Sequence, residues 1–287
     1  MKLFYRISDK SYEKTKLIGA SKEKCLMNFC QAFSRIIFPE GADTTDAPIR
    51  ILADRCDRGT IKLLTESGLP VTITDLGNAG SFRKALDLAL EYEPNELVYF
   101  CEDDYLHLES APTLLEEGIK RADYVTLYDH PDKYTRLYNG GEFSKVIRTE
   151  SSHWRYTAST CMTFAAKVKT LKEDYDVWCK YTSETHPHDH QIFTDLVKKN
   201  RRLAVCIPGA ACHTDLTFSG AMSQVFIESW AIEMMIQHTQ SKLNSISTSI
   251  SEYDEMKSIL SKMSGWQKLV MMDAMLKNLE KTKDASV

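Results

Sequence analysis

The chain has 287 residues, with 36 Lys+Arg against 40 Asp+Glu and a formal net charge of −4. That balance argues against a protein that binds nucleic acid by neutralising phosphates. No apolar run approaches the roughly 18 residues needed to span a bilayer. The length predicts one large domain or two small ones, able to bury a core without disulfides or metals as staples. The run Met1-Lys2-Leu3-Phe4-Tyr5-Arg6-Ile7 is too short in apolar residues for a signal peptide. The eight cysteines contain no Cys-x-x-Cys pair, and several lie in apolar strand-like runs. These features together predict a reduced, cytoplasmic protein.

Along the chain, β-like runs alternate with helical patterns. A strand is expected over 2–7 and a helix over 22–36, then a strand over 49–53 and a helix over 58–66. A strand over 70–74 leads through a glycine-containing loop, Asp75-Leu76-Gly77-Asn78-Ala79-Gly80, into a helix over 81–92. The next strand, 97–101, is wholly apolar and runs directly into Glu102-Asp103-Asp104. A helix over 111–121 and strands over 124–127 and 160–164 follow. A helix over 189–199 and a strand over 203–207 complete the alternation. Such alternation implies an α/β fold with a mostly parallel sheet flanked by helices. Ligands bind such sheets beyond the carboxyl ends of the strands.

After residue 220 the pattern changes. Helices are expected over 222–240, 252–261 and 266–281, so the chain divides into a domain over 1–220 and a helical extension over 221–287. The extension is expected to pack on the domain, to form a homo-oligomer contact, or to touch a membrane surface peripherally.

Three carboxylates at a strand end concentrate negative charge, which calls for a nearby cation or free solvent. Hard cations such as Mg²⁺ and Mn²⁺ favour these oxygens and also bind phosphates. A solvated acidic turn is the alternative. The loop before residue 81 lets the backbone approach a ligand and presents a helix N-terminus, yet it carries neither a phosphate-loop nor a dinucleotide fingerprint. Asp189 opens a helix, where it is either a cap or an acid held for proton transfer. His186, His188 and His190 alternate. On an extended segment they could form a zinc site with Asp104 or His213 as the fourth ligand.

The order of strand, Asn78-x-Gly80-Ser81-x-Arg83, amphipathic helix, apolar strand and Glu102-Asp103-Asp104 resembles a glycosyltransferase of the GT-A fold, a Rossmann-like architecture, most closely the inverting family 2. The resemblance covers about residues 1–215 and rests on the order of elements. Glu102 stands where many members have Asp. The resemblance implies a metal-dependent transfer of a hexose from a nucleotide-sugar, UDP-linked first with GDP and dTDP open, to a hydroxyl of a glycan or glycoconjugate. It gives Asp104 and His213 to Mn²⁺ or Mg²⁺, and Glu102 to the ribose or the metal's water shell. Asp103 would face the donor sugar. Arg6 and Ser8 would cradle the nucleotide, Asp54 and Arg55 would meet the base, and Asn78, Ser81 and Arg83 would complete the nucleoside pocket.

On the same resemblance Asp189 is the general base, with His188 where an acid usually precedes it. His153, Trp154 and Arg155, with Asp129 and His188, are expected on the acceptor side, the aromatics alternatively as core. A sugar-phosphate nucleotidyltransferase is the alternative enzyme, although 6–15 lacks the glycines of its usual N-terminal loop. A catalytically silent nucleotide-sugar-binding or scaffold protein is the alternative outside catalysis.

Overall fold

Strand β1 (Lys2–Ser8) shows why the apolar runs are unbroken. Leu3, Tyr5 and Ile7 enter one core and Phe4 enters another on the opposite face. Successive strand residues point to opposite faces, so a strand covered on both sides must be apolar throughout. In β4 (Leu97–Glu102) the same alternation sends Tyr99 and Cys101 one way and Val98 and Phe100 the other. The computed structural model describes residues 1–10, 16–17, 20–39, 47–134 and 142–215. The helices and domain boundary expected beyond residue 220 lie outside the described residues.

β1 is flanked in parallel by β4 and by β2 (Ile49–Asp54), and β3 (Val71–Thr74) pairs parallel outside β2. Beyond β4 come β9 (Phe164–Lys167), β6 (Tyr124–Thr126), β10 (Leu203–Ile207), β8 (His153–Thr157) and β7 (Val146–Arg148), in that spatial order. Only β9 and β8 run against the rest, so the sheet is mostly parallel. A separate antiparallel pair is formed by β5 (Tyr105–His107) and β11 (Ala211–His213).

Helices cover both faces. On the side of Leu3 and Tyr5 lie α1 (Lys22–Ala32), α2 (Ser34–Ile37), α3 (Arg58–Glu66) and α5 (Ala111–Gly118), contributing Phe29, Ile37, Leu64 and Leu115. On the side of Phe4 lie α4 (Gly77–Ala89), α6 (Val168–Glu173), α7 (Tyr175–Tyr181) and α8 (Asp189–Lys198), contributing Phe82, Leu171, Trp178 and Phe193. Two helix starts follow their sequence signals. Ser21 accepts from the Lys24 amide at 3.1 Å and Asp57 from the Thr60 amide at 2.9 Å. All eight cysteines are free thiols. Among the described residues no helix is long and apolar enough to cross a membrane.

Two differences from the sequence reading matter. The strand expected over 160–164 begins at Phe164 and runs on to Lys167, because 160–163 is the bend that turns the chain into the sheet. The segment around Trp154, expected at the acceptor side, is the inner strand β8, and Trp154 is fully buried. Its indole N–H donates to the Thr149 hydroxyl at 2.9 Å and its ring lies over Gly118. It therefore has no face left for a sugar ring. A Cβ on Gly118 would come within 2.5 Å of the Trp154 ring. Gly118→Ala is thus expected to destabilise by about 1–3 kcal/mol, overriding the gain in helix propensity. A thermal melt with an unchanged Tm would show that the indole shifts freely.

Candidate functional site

The parallel register puts the ends of four strands on one rim. Ser8 is opposite Asp54, Asp54 is opposite Thr74, and Arg6 is opposite Glu102. Beyond that rim opens a cavity of about 660 Å³. β1 contributes Arg6 and Ser8 to its lining, the end of β2 gives Asp54 and Arg55, and the start of α4 gives Gly77, Asn78 and Ser81. The end of β4 contributes Glu102, Asp103 and Asp104, and Thr185 and His186 form the facing wall. Nine of the residues singled out from the sequence therefore converge: Arg6, Ser8, Asp54, Arg55, Asn78, Ser81, Glu102, Asp103 and Asp104. The sequence reading left the wall of Thr185 and His186 out of the donor site. It is held there because the Ala79 amide donates to the Thr185 carbonyl at 3.2 Å, a contact between segments remote in sequence.

Several of these side chains are already engaged. Asp54 is buried, and its carboxylate accepts the Thr74 hydroxyl at 2.8 Å, the Leu76 amide at 2.7 Å and the Gly77 amide at 3.0 Å. It holds the loop that shapes the cavity. Arg55 adopts a left-handed conformation with φ 53° and pairs with Asp75 at 2.5 Å, while Gly77, at φ 76°, supplies the left-handed backbone that opens α4. Asp103 accepts the Ser8 amide at 3.0 Å and pairs with Lys22 at 3.0 Å. Burial and the adjacent Asp104 push its carboxyl up, with Lys22 and the Ser8 amide opposing. Its carboxylate ties the end of β4 to β1 and α1. Lys22 also pairs with Asp9 at 3.4 Å. Nothing in the sequence marked Lys22 as part of this network.

Asp104 meets His213 across the small sheet. β11 pairs with β5, His213 stands opposite Tyr105, and the Thr214 amide donates to the Asp104 carbonyl at 2.7 Å. His213 Nε2 and Asp104 Oδ2 are 3.4 Å apart, longer than a good hydrogen bond and close to the spacing of two ligands on one cation. Two protein ligands suit a divalent ion that takes its remaining oxygens from a diphosphate. The Asp215 amide donates to Nδ1 at 3.0 Å, which puts the neutral ring's proton on Nε2. Ligation through Nε2 therefore requires that proton to move to Nδ1, with loss of the Asp215 amide contact. Among the described residues, no group of three or more His, Cys, Asp or Glu could hold a metal, so His186, His188 and His190 do not assemble the zinc site considered above. His188 instead pairs with Glu184 at 3.2 Å.

Asp189 is the first residue of α8 and accepts the His190 amide at 2.7 Å. Burial raises its pKa above the ordinary carboxylate value, while His190, His130 and His188 act in the opposite sense. It does not line the 660 Å³ cavity. The Cys161 thiol is pushed up by burial and then by the charges of Asp189, Glu102 and Asp104.

Other expected contacts lie elsewhere. Arg83 turns away from the cavity, donating to the Trp178 carbonyl at 3.0 Å, to Cys179 Sγ at 2.9 Å and to the Thr182 hydroxyl, and it borders a separate shallow depression. The α7 partners that draw it away are nearly a hundred residues along the chain. Arg155 is buried between Asp129 at 2.7 Å and Glu142 at 2.8 Å, so the first two of these acceptor candidates satisfy each other. His153 is exposed at the start of β8.

No protein-family model and no curated protein matches the chain. Among solved structures, it is similar to TarS of S. aureus at 16% identity, covering 85% of this chain and 66% of that one with a TM-score of 0.40. It is similar to CMP:2-keto-3-deoxy-manno-octonic acid synthetase complexed with CTP at 11% identity, over 81% of this chain and 100% of that one, TM-score 0.42. The galactosyltransferase LgtC, in complex with donor and acceptor sugar analogs, matches at 10% identity over 71% and 73% of the two chains, TM-score 0.39. These likenesses concern the α/β arrangement alone. The described domain has an α/β fold, with a mostly parallel sheet between two helical layers.

Proposed function

We propose that the chain is a glycosyltransferase that moves a hexose from a nucleotide-sugar, UDP-linked by first expectation, to a hydroxyl of a glycan or glycoconjugate. The observation that carries this reading is one cavity. It is lined by Arg6, Asn78, Ser81, Glu102, Asp103 and Asp104, and Asp104 stands 3.4 Å from His213. About 660 Å³ accommodates a nucleotide-sized ligand.

In this reading the nucleoside lies over the ends of β1 and β2, and the diphosphate reaches Asp104 and His213. A divalent cation bound there supplies Lewis-acid stabilisation of the departing diphosphate. Asp189 takes the proton of the acceptor hydroxyl as that oxygen attacks the sugar, a single displacement with inversion. Its raised pKa brings a carboxylate closer to the basicity that proton abstraction at neutral pH requires. The test is release of UDP from UDP-glucose, UDP-galactose and UDP-N-acetylglucosamine with Mn²⁺, followed by the same assay with GDP- and dTDP-sugars. Slow hydrolysis of one donor, stimulated by a glycan acceptor, is the expected result. Nucleotide binding without turnover of any donor would favour a silent binding protein, and no nucleotide binding would overturn the assignment.

A further inference from the structure

Arg6 is a cation set into a central strand, with only 7% of its surface exposed. Its Nη2 donates to the Asn78 carbonyl at 3.0 Å and to the Asn78 side-chain oxygen. Nε and Nη1 meet no hydrogen-bond acceptor among the described residues. The Glu102 Oε1 oxygen stands 3.7 Å from Nη1, within ion-pair range and beyond a hydrogen bond. The guanidinium lies 5.5 Å from the centroid of the Phe82 ring and lines the 660 Å³ cavity. Leaving the donors of a buried cation unmet is costly, more so than for a neutral group. A ligand oxygen in the cavity removes that cost.

The surroundings select the kind of oxygen. Burial lowers the Arg6 pKa, and the charges of Glu102, Asp103, Asp54 and Asp104 oppose that shift. Lys22 offsets Asp103, but Glu102 stands 3.7 Å from Nη1 and repels a phosphate placed beside it more than a neutral carbonyl oxygen. Asp54 already spends its carboxylate on the Thr74 hydroxyl and the two loop amides, and Arg83 has turned to α7. Resting on the nucleotide-site reading above, we infer that Arg6 is the base-reading residue of this site, donating from Nη1 or Nε to a carbonyl oxygen of the nucleobase and not to the diphosphate.

The test is competitive titration of uridine, and of UDP with Mn²⁺, into the full chain and into Arg6→Met and Arg6→Lys. Arg6→Met is expected to weaken uridine and UDP by the same factor, about tenfold or more, as loss of a charge-assisted hydrogen bond implies. Arg6→Lys keeps the charge but not the fork, and is expected to weaken both ligands less. Replacing one uridine carbonyl oxygen by sulfur, as 2-thiouridine or 4-thiouridine, should weaken binding to the unaltered chain, and that penalty should vanish in Arg6→Met.

Weakening of UDP alone would make Arg6 a phosphate contact and overturn the inference. A thio penalty that persists in Arg6→Met would make Arg6 a structural strap. A penalty seen with 2′-deoxyuridine and with neither thio analogue would move the contact to the ribose. If Arg6→Met fails to fold by circular dichroism, Arg6→Lys and the thio analogues still decide the matter. Failure of the unaltered chain to bind UDP, GDP or dTDP would instead overturn the nucleotide reading, and the base assignment with it. If GDP binds in place of UDP, guanosine and 6-thioguanosine are the probes.

Discussion

Asp189→Asn is expected to lower kcat for sugar transfer by about 10²–10⁴-fold, the range for loss of a positioned general base. Mn²⁺-dependent UDP affinity should stay within about twofold, because Asp189 does not line the nucleotide cavity. Asn keeps the size of the side chain and an oxygen able to accept the His190 amide, so the N-terminus of α8 is preserved. Measuring transfer rate and UDP binding on one preparation separates chemistry from affinity. Equal turnover in the variant would remove Asp189 from the mechanism.

The pH profile follows from the direction of the Asp189 shift. Its carboxyl is held above the ordinary value, chiefly by burial, and only the ionised form accepts a proton. Activity should therefore fall as pH drops through that raised value, with an acid limb above that of an exposed carboxylate. Stability runs the other way. At neutral pH the folded state keeps a carboxylate ionised against its burial, a cost absent below the unfolded-state value of about 3.9. Asp189→Asn should therefore melt at or above the unaltered chain at pH 7. That advantage should shrink as pH falls through the raised value.

Asp104→Ala is expected to remove the Mn²⁺-dependent part of UDP binding, measured by calorimetric titration with and without the ion. A loss of about tenfold or more is the expected scale, with binding in the absence of Mn²⁺ much less affected. His213→Ala should cost less than Asp104→Ala. The Asp215 amide fixes the tautomer whose proton faces Asp104, and Nε2 lends a lone pair to a cation once that proton has moved to Nδ1 at the cost of this contact. Equal losses in the two variants would mean that the proton does move and that both residues are full ligands. Manganese-dependent UDP binding that survives Asp104→Ala would move the cation to another part of the acidic rim.

The residues of the amino-acid sequence determined the layout of this protein to a large extent. Apolar runs at β1, β2, β4 and β10 can be stable only as strands covered on both faces, and the amphipathic stretches between them supply that cover. The acids sit at the end of β4 because an apolar strand that runs into charge must stop at the rim. Local patterning thus put the acids at the rim, and the resemblance to a known family supplied the rest of the nine candidates that share one cavity.

What each side chain does there was decided by contacts between residues far apart in the chain. Asp54 is taken up by amides at 76 and 77, Arg83 by a carbonyl at 178, and Arg155 by acids at 129 and 142. Trp154 was drawn into the core by the gap at Gly118. Thr185 and His186 became a wall of the site through an amide at 79. Periodicity records whether a residue is buried, because burial depends on which face of an element it occupies. It does not record which partner satisfies a buried polar group, since hydrogen-bond satisfaction depends on positions within a few tenths of an ångström that only the packed chain sets. For that reason the carboxyl-end rim was legible in the sequence, while the unmet donors of Arg6 were visible only in the fold.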